Sequence, residues 1–537
     1  MISAKSHRAR ARRLHGPPRP TIESSMVAAS GSNRTNSKRV RSPAKTGLER
    51  RSGRRRTLNK IEFEYDSFKE TQLLQQALKA SLLAKHEGEN VNLPEAPAFR
   101  PTSAEFMDPF AYIESIRDQV EYDAGICKII PPRGWRPPRP FPEDKKETFA
   151  TRIQQIHRLQ EGVGFDTNED SYTIKEYKQM ADDFYREFFG EEPGSVSPEE
   201  VEARYWKIVR TASPDVTVEY GNDIDASVFG SGFPITGSNK YVTHPWNLNN
   251  IARLPGSVIR RLEGSISGVT VPWVYFGMLF SSFCWHAEDL WMYSVNYNHL
   301  GAPKTWYGAP GCDHKKVEAA MKAHVPELFN EEPDLAMKLV TQVPPAVLVA
   351  NDVSVVHAVQ NAGEFIVTFP RAFHGGFNQG FNCTEAVNFA TIDWLEHGRC
   401  SLDEYRRHAK PPVFSHEKLL IDLVQSDAQM YDKEILEKEL TKLIETQQEW
   451  RGYWKRIGVS DWKSLSIRSD EPVDFCHSCY QFCYLSFIKC RCDDERTDCL
   501  HHIGEGVACK CPPAKKVAYF RYTIDELCAL RDVLVCR

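Results

Sequence analysis

Residues 281–291, SSFCWHAEDLW, set His286 and Glu288 two positions apart in an apolar, aromatic run. In a strand, residues i and i+2 project from one face, so an imidazole and a carboxylate would enter the same interior. Burying both is costly unless a charged partner offsets the loss of water. A metal ion is such a partner, and a neighbouring strand must then supply another ligand. The segment EFIVTFPRAFHGGFN offers one: EFIVTF reads as a strand, and His374 lies just past its Pro-Arg turn. Two histidines and a carboxylate on one side of a metal form the donor set of non-haem iron(II) oxygenases, with adjacent positions open for a co-substrate and dioxygen. The His-x-Glu pair alone says little, because it arises by chance on exposed strands. A lone buried histidine is more often a hydrogen-bonded core residue.

The intervening sequence adds weight. YSVNYNHLGAPKTWYG reads as strand, Gly-Ala-Pro turn, strand, and Lys304 follows the turn, flanked by Trp306 and Tyr307. A lysine in aromatic surroundings calls for an anion. 2-Oxoglutarate fits: one carboxylate and the keto oxygen chelate iron, and the far carboxylate needs a cation. The elements that must hold these groups fall between about 216 and 395, where short β-branched and aromatic runs alternate with Gly and Pro turns, the texture of a β-barrel or sandwich. Before them, Asp108 and Pro109 read as the N-cap and first turn of a helix. GICKIIPP reads as a short strand stopped by prolines. Residues 140–210 are charged and read as mainly helical. Residues 400–470 return to helix, with Leu436, Leu440 and Leu443 on one face.

These residues carry a resemblance. Residues 216–394 resemble a JmjC domain, through the ordered patterns F-x-W-H-x-E-D, Y-S-x-N-Y-x-H-x-G-x-P-K-x-W-Y-G, G-E-F-x-x-T-F-P-x-x-x-H-x-G-F-N and E-A-V-N-F-A-T-x-D-W. PTSAEFMDPFAYIESIRDQVEYDAGICKIIPP resembles the JmjN segment that packs on that domain. The resemblance implies a mixed α+β protein built on a double-stranded β-helix, a cupin-like jelly roll, with a helical surround and a small zinc-binding domain. It implies an Fe(II)- and 2-oxoglutarate-dependent histone lysine demethylase that oxidises N-methyl groups and releases formaldehyde. Carried over residue by residue, His286, Glu288 and His374 bind iron, and Lys304 and Tyr220 hold the distal carboxylate of 2-oxoglutarate. Asn296 and Ser294 match co-substrate contacts, and Phe283 matches the aromatic residue stacked on it. Tyr275 and Gly268 match positions lining the methyl-ammonium pocket. DVTVEYGNDIDASVFGSGFP, VPWVYFGM, PKTWYGAP and FSHEKLL resemble the Jarid group, whose active members act on di- and trimethylated lysine 4 of histone H3. Demethylases of lysines 9, 27 and 36 share the core and match less well. The ARID and PHD domains of active Jarid enzymes are not seen here. An inactive scaffold of the same group shares YIESIRDQV and RIQQIHRL, but it has lost metal ligands that this chain keeps. A JmjC hydroxylase is a further alternative, and the JmjN and zinc companions argue against it.

CHSCYQFCYLSFIKCRCDDERTDCLHHIGEGVACKC carries pairs at metal-ligand spacing. Cys476, Cys479, Cys499 and His502 form one expected zinc site, with His501 competing for the fourth place. Cys490, Cys492, Cys509 and Cys511 form a second. Cys483 is left over. The interleaving matches the C5HC2 finger that follows JmjC in the Jarid group.

Charge is unevenly spread over the 537 residues. Residues 1–60 hold 17 Lys and Arg against 2 acidic side chains, which leaves 51 basic against 70 acidic in the rest. The Ser-, Pro- and Arg-rich start is too poor in apolar residues to order itself. Its clusters suit nuclear import or contact with chromatin or DNA. A solvated tail without a partner and a mitochondrial transit peptide are the alternatives. Leu74, Ala77, Leu78 and Ser81 sit in an amphipathic helix with a ubiquitin-interacting pattern; a helix that packs on another partner is the plainer reading. No run approaches the length of a membrane span. The expected organisation is a disordered basic tail (1–62), an amphipathic helix and linker (63–92), JmjN (93–136), a helical connector (137–215), JmjC (216–398), a helical domain (399–472) and the zinc finger with its C-terminal segment (473–537). The expected location is the nucleus.

Overall fold

The computed structural model describes residues 92–142, 144–162, 164–331, 341–466, 474–502 and 511–536. The basic tail, the ubiquitin-interacting pattern at Leu74 to Ser81, and Cys509 lie outside the described residues.

The N-terminal part contributes strand β1 (Ala98–Phe99), helix α1 (Pro109–Ile116) and strand β2 (Ile126–Ile129). The Asp108 side chain accepts from Ala111 N at 3.1 Å, and Pro109 opens the helix. Both features suit an N-terminus, where the first N–H groups lack helical partners. The buried face of α1 is Phe110, Ile113 and Ile116. Just upstream, Phe106 stacks on Trp246 with centroids 4.8 Å apart; truncating a buried aromatic of this kind costs about 3–5 kcal/mol.

The connector 137–215 is not simply helical, which corrects the sequence reading. Strands β3 (Phe149–Gln155) and β4 (Asp166–Tyr172) precede helices α2 (Ile174–Phe189) and α3 (Pro198–Thr211). β3 pairs antiparallel with β4 and with β5 (Thr217–Asp225). The alternation was hidden because polar side chains occupy inward positions. Thr151 is buried and donates to Glu219 Oε2 at 2.6 Å, and Gln154 is buried on Ser282 O at 2.8 Å.

The strands that carry the site follow: β6 (Trp273–Gly277), β7 (Ser282–His286), β8 (Tyr293–Gly301), β9 (Lys304–Ala309), β10 (Val356–Gln360), β11 (Phe365–Thr368), β12 (Phe373–Asn378) and β13 (Asn382–Phe389), with helix α4 (His314–His324) inserted. They form a nine-stranded sheet in the order β1-β2-β11-β8-β13-β6-β5-β3-β4 and a four-stranded sheet in the order β10-β9-β12-β7. Both sheets contribute to the wall of one cavity of about 650 Å³. The register of β8 divides its side chains: Ser294 lines this cavity and Asn296 shares its face, while Val295 and Tyr297 join the hydrophobic core on the other face.

Helices α5 (Trp394–Arg407), α6 (His416–Ser426) and α7 (Lys433–Arg456) come next. Leu436 and Leu440 are buried and Leu443 packs at the edge of the same core, as their spacing requires. A third sheet holds β14 (Asp461–Ser464), β15 (Ser486–Cys490), β16 (Asp493–Asp498) and β17 (Lys516–Phe520), and helix α8 (Ile524–Cys536) follows. β14 lies in the stretch read as helical, yet it pairs in parallel with β17. The sheet of the cysteine-rich module therefore begins before residue 473. A four-residue strand is too short for its period to show in the sequence.

Candidate metal and co-substrate site

β7 and β12 are hydrogen-bonded neighbours, and their register sets His286 directly opposite His374. The two rings lie 4.2 Å apart between centroids. Glu288 sits just past the end of β7, and its Oε1 is 3.4 Å from His374 Nε2. One ligand atom from each of the three residues lies within 4.8 Å of the others. A bulge after His374 shifts the register before Gly376. Glycine is required there, because a Cβ would meet Thr305 O at 1.9 Å and the Phe283 ring at 2.6 Å.

Backbone groups fix both tautomers. His286 Nδ1 is 2.7 Å from Cys284 O, and His374 Nδ1 is 3.3 Å from Ala372 O. Each Nδ1–H donates to a carbonyl two residues upstream, which leaves the Nε2 lone pair for a metal. Burial, followed by the nearby His374, lowers His286 to about 4, so its ring is neutral at physiological pH. Burial works to raise Glu288, but hydrogen bonding and charge from His374 and the charge of His286 outweigh it and hold the carboxyl at about 2. Asn388 Nδ2 donates to Glu288 Oε2 at 3.0 Å and orients the carboxylate. Two neutral-capable imidazole nitrogens and one carboxylate oxygen fit a divalent iron.

The turn after Glu288 is held firmly. Leu290 and Trp291 adopt left-handed φ values of 50° and 53°. Such backbone persists only where surrounding contacts over-determine it. Here Tyr405 OH accepts from Leu290 N at 3.0 Å and donates to Asp289 Oδ1 at 2.9 Å, while Trp394 Nε1 donates to Leu290 O at 2.8 Å.

Lys304 starts β9 and is 2% exposed. Its Nζ donates to Tyr220 OH at 3.1 Å and lies 5.0–5.9 Å from the ring centroids of Phe283, Tyr275, Tyr220 and Trp306. Among the described residues no carboxylate forms an ion pair with it. Burial lowers it to about 7, so the ammonium lacks a counter-charge that a carboxylate ligand would provide. Trp306 belongs to this cage as the sequence suggests. Tyr307 does not: it points to the other face of β9, accepts from Trp206 Nε1 at 2.7 Å and donates to Glu202.

The remaining sequence candidates gather in the same region. Tyr220, Phe283, Ser294, Tyr275 and Gly268 line the cavity. Ser294 Oγ is 2.7 Å from Thr368 Oγ1, and Asn296 Oδ1 accepts from Gln360 Nε2 at 3.1 Å, which leaves the Asn296 amide donor for a ligand. Gly268 has φ +79° and lies against Trp273, whose ring a Cβ would meet at 2.7 Å. Sequence reasoning missed Asn388, Gln360 and Asn378, the last of which hydrogen-bonds Tyr220. Only the motifs around them, such as EAVNFA, gave a signal. It also missed Asp223, which takes a left-handed φ of 58° on the cavity wall, where burial raises it to about 6.

Two cysteine clusters stand apart from this cavity. The ligand atoms of Cys476, Cys479, Cys499 and His502 lie within 4.8 Å of one another. His502 Nδ1 is 3.2 Å from Cys499 Sγ and 3.6 Å from Cys476 Sγ. Hydrogen bonds from Cys479 and Cys499 lower Cys476 well below an ordinary thiol. His501 instead packs on Trp450, with centroids 4.6 Å apart. Cys490, Cys492 and Cys511 form the second group. Four cysteine and histidine donors at such spacing suit tetrahedral zinc.

Comparison with known proteins places this geometry in a family. Residues 273–389 match the JmjC domain model, described as a hydroxylase, and residues 97–131 match the jmjN domain. Residues 476–530 match the C5HC2 zinc finger, and residues 393–440 match the C-terminal helical domain of lysine-specific demethylase 5. The chain carries jmjN, JmjC, helical and C5HC2 domains in that order, a set whose relatives are Jarid-type lysine-specific demethylases. It is 36% identical over 549 residues to the putative lysine-specific demethylase JMJ16 of Arabidopsis thaliana, covering 83% of this chain and 44% of that protein. It is 39% identical over 517 residues to lysine-specific demethylase JMJ703 of rice, Oryza sativa subsp. japonica, covering 82% and 41%. Chicken (Gallus gallus) lysine-specific demethylase 5B is 39% identical over 398 residues, covering 72% and 26%. The chain thus spans less than half the length of these curated relatives. Its helices α5 and α6 fall within the matched helical domain, and α5 is the element that brings Trp394 and Tyr405 onto the turn after Glu288. No helix among the described residues is long and apolar enough to cross a membrane.

Proposed function

We propose that this protein is an Fe(II)- and 2-oxoglutarate-dependent histone lysine demethylase acting on di- and trimethylated lysine 4 of histone H3. One observation carries the reading: His286, Glu288 and His374 converge beside a buried lysine that has no carboxylate partner of its own among the described residues. Iron and 2-oxoglutarate, when bound, supply the oxidation of an N-methyl group with dioxygen, yielding succinate, carbon dioxide and formaldehyde. This chain's residues do the positioning. The Nε2 atoms of His286 and His374 and a Glu288 oxygen would hold iron. Lys304 and Tyr220 would pair with the far carboxylate of 2-oxoglutarate, Asn296 and Ser294 would hydrogen-bond it, and Phe283 would cover it. Tyr275 and Gly268 would line the approach of the methylated lysine. The buried walls exclude water from the reacting centre.

Lysine 4 is assigned from the likeness to the Jarid group. Two zinc ions, one at each cysteine cluster with Cys509 completing the second, would stabilise the C-terminal module rather than take part in the reaction, because such sites are closed. The basic tail would direct the protein to the nucleus and to chromatin.

The test supplies purified protein with Fe(II), 2-oxoglutarate and histone H3 peptides trimethylated at lysine 4, 9, 27 or 36. Formaldehyde release with lysine 4 preferred is expected, and His286→Ala should abolish it while leaving the melting temperature nearly unchanged. Succinate with an oxygenated peptide and no formaldehyde would instead mark a hydroxylase. Absence of both products would mark a scaffold.

A further inference from the structure

The body of the chain is acidic, yet residues 124–142, AGICKIIPPRGWRPPRPFP, contain Lys128, Arg133, Arg136 and Arg139 and no acidic side chain. Arg133, Arg136 and Arg139 are exposed and line an open cavity of about 760 Å³ together with exposed Arg100 from the end of β1. Among the described residues Glu364 is the one carboxylate on its wall, and it is engaged by Lys128 Nζ at 3.6 Å and by Asn361 N at 2.9 Å. The cavity is backed by Tyr297. It therefore opens on the face of β8 opposite the one that carries Ser294 and Asn296.

The frame beneath the arginines is stiff. Five prolines at 131, 132, 137, 138 and 140 line the same cavity, and each fixes its own φ and restricts the residue before it. Trp135 is buried between them, donating from Nε1 to Tyr297 OH at 3.0 Å, and Tyr241 OH accepts from Arg136 N at 2.6 Å. Ordering this loop is thus already accomplished by the fold, and a ligand need not supply it.

We propose that this arginine-lined surface docks the phosphate backbone of double-stranded DNA, independently of the reaction at the iron site. All four cations are guanidiniums, whose planar fork matches phosphate oxygens in pairs. Single-stranded nucleic acid needs exposed aromatic platforms for its bases, and the aromatic residues on this wall, Trp135 and Tyr297, are both buried. The arginines sit around a proline-stiffened concave wall rather than on a projecting helix or strand that could carry them into a groove, so the contact is with backbone and carries little sequence preference.

The test uses the full chain and a labelled mixed-sequence duplex of about twenty base pairs, followed by anisotropy across a series of salt concentrations. The variant is Arg100→Ala, Arg133→Ala, Arg136→Ala and Arg139→Ala combined. A charge-matched control removes four exposed lysines elsewhere: Lys175→Ala, Lys207→Ala, Lys315→Ala and Lys322→Ala. The arginine variant should lose up to about 3.6 from the slope of log affinity against log salt, at about 0.9 per phosphate contact, while the control keeps its slope. Restoring the four positions as lysine should recover most of the slope. Equal losses in variant and control would overturn the proposal, since net charge alone would then explain binding. So would displacement of the duplex by polyglutamate or by single-stranded DNA at equal charge concentration, which would assign the surface to an acidic protein or to unpaired strands.

Discussion

Lys304 gives the sharpest handle on the site. The cage of Tyr220, Tyr275, Phe283 and Trp306 keeps its Nζ out of water, and burial brings it from 10.5 to about 7. Only the ammonium form can pair with a carboxylate. Affinity for 2-oxoglutarate should therefore be flat below about pH 6 and weaken about 16-fold between about pH 7 and about pH 8.5, following the fraction of protein whose lysine is charged. At about pH 7.5 binding should take up about three-quarters of a proton, because the ligand restores the charged form. Calorimetric titration of the anaerobic Fe(II) protein in buffers of different ionisation heat measures both quantities. Lys304→Met keeps the packing and removes the cation; the loss of one charge-assisted contact, about 1.5–3 kcal/mol, should weaken binding about 10- to 150-fold. The ligand-free protein responds in the opposite sense. Its lysine holds fewer protons than the unfolded chain between about 7 and 10.5, so stability rises with pH across that window and is lost as pH falls through about 7. Lys304→Met should accordingly leave the melting temperature of the empty protein level or higher. A dissociation constant independent of pH from 6.5 to 8.5, with no proton uptake, would refute the claim that Lys304 is the carboxylate's partner.

Asn388→Ala removes the donor that orients Glu288 Oε2, and Fe(II) or Co(II) affinity should fall about 10- to 100-fold with little change in melting temperature; metal titration followed by absorbance reads this directly. Gly268→Ala forces a Cβ to within 2.7 Å of the Trp273 ring at a left-handed φ. It should raise KM for the methylated peptide while leaving 2-oxoglutarate affinity unchanged, as initial-rate kinetics with each substrate varied will show. Cys509→Ser should lower the zinc released on denaturation from two ions per chain to one, counted with a chromogenic chelator; release of two would exclude Cys509 as the fourth donor beside Cys490, Cys492 and Cys511.

The site was legible where chemistry is concentrated in residue type. His286, Glu288 and His374 could be singled out because buried ionisable groups at strand spacing need an explanation; β7 and β12 do place the two histidines side by side, with Glu288 beside them just past β7. Lys304 was legible for the same reason. Its cage was read only in part, because Tyr307, three residues on, faces away, while Tyr220, Tyr275 and Phe283 come from other strands. Period-two alternation cannot name a cross-sheet neighbour. Strand β3 was missed because Thr151 and Gln154 satisfy their polar groups inside the protein and so break the apolar alternation a reader relies on. The supporting amides Asn388, Gln360 and Asn378 escaped because an asparagine or glutamine in a strand reads as solvent-facing until its partners are known.

That division has a physical basis in how the jelly roll distributes its tasks. The two histidines of the proposed metal site sit on two strands locked in register, where a shift of one residue would turn His286 or His374 to the other face. Glu288 cannot gain precision this way, since it lies past the end of β7. Its position comes instead from a turn with two left-handed residues, held by Tyr405 and Trp394 of α5 and answered across the barrel by Asn388 on β13. The helical segment after the barrel is therefore part of the metal site's support: loosening α5 should reach iron affinity through the carboxylate while leaving the pairing of the two histidines intact.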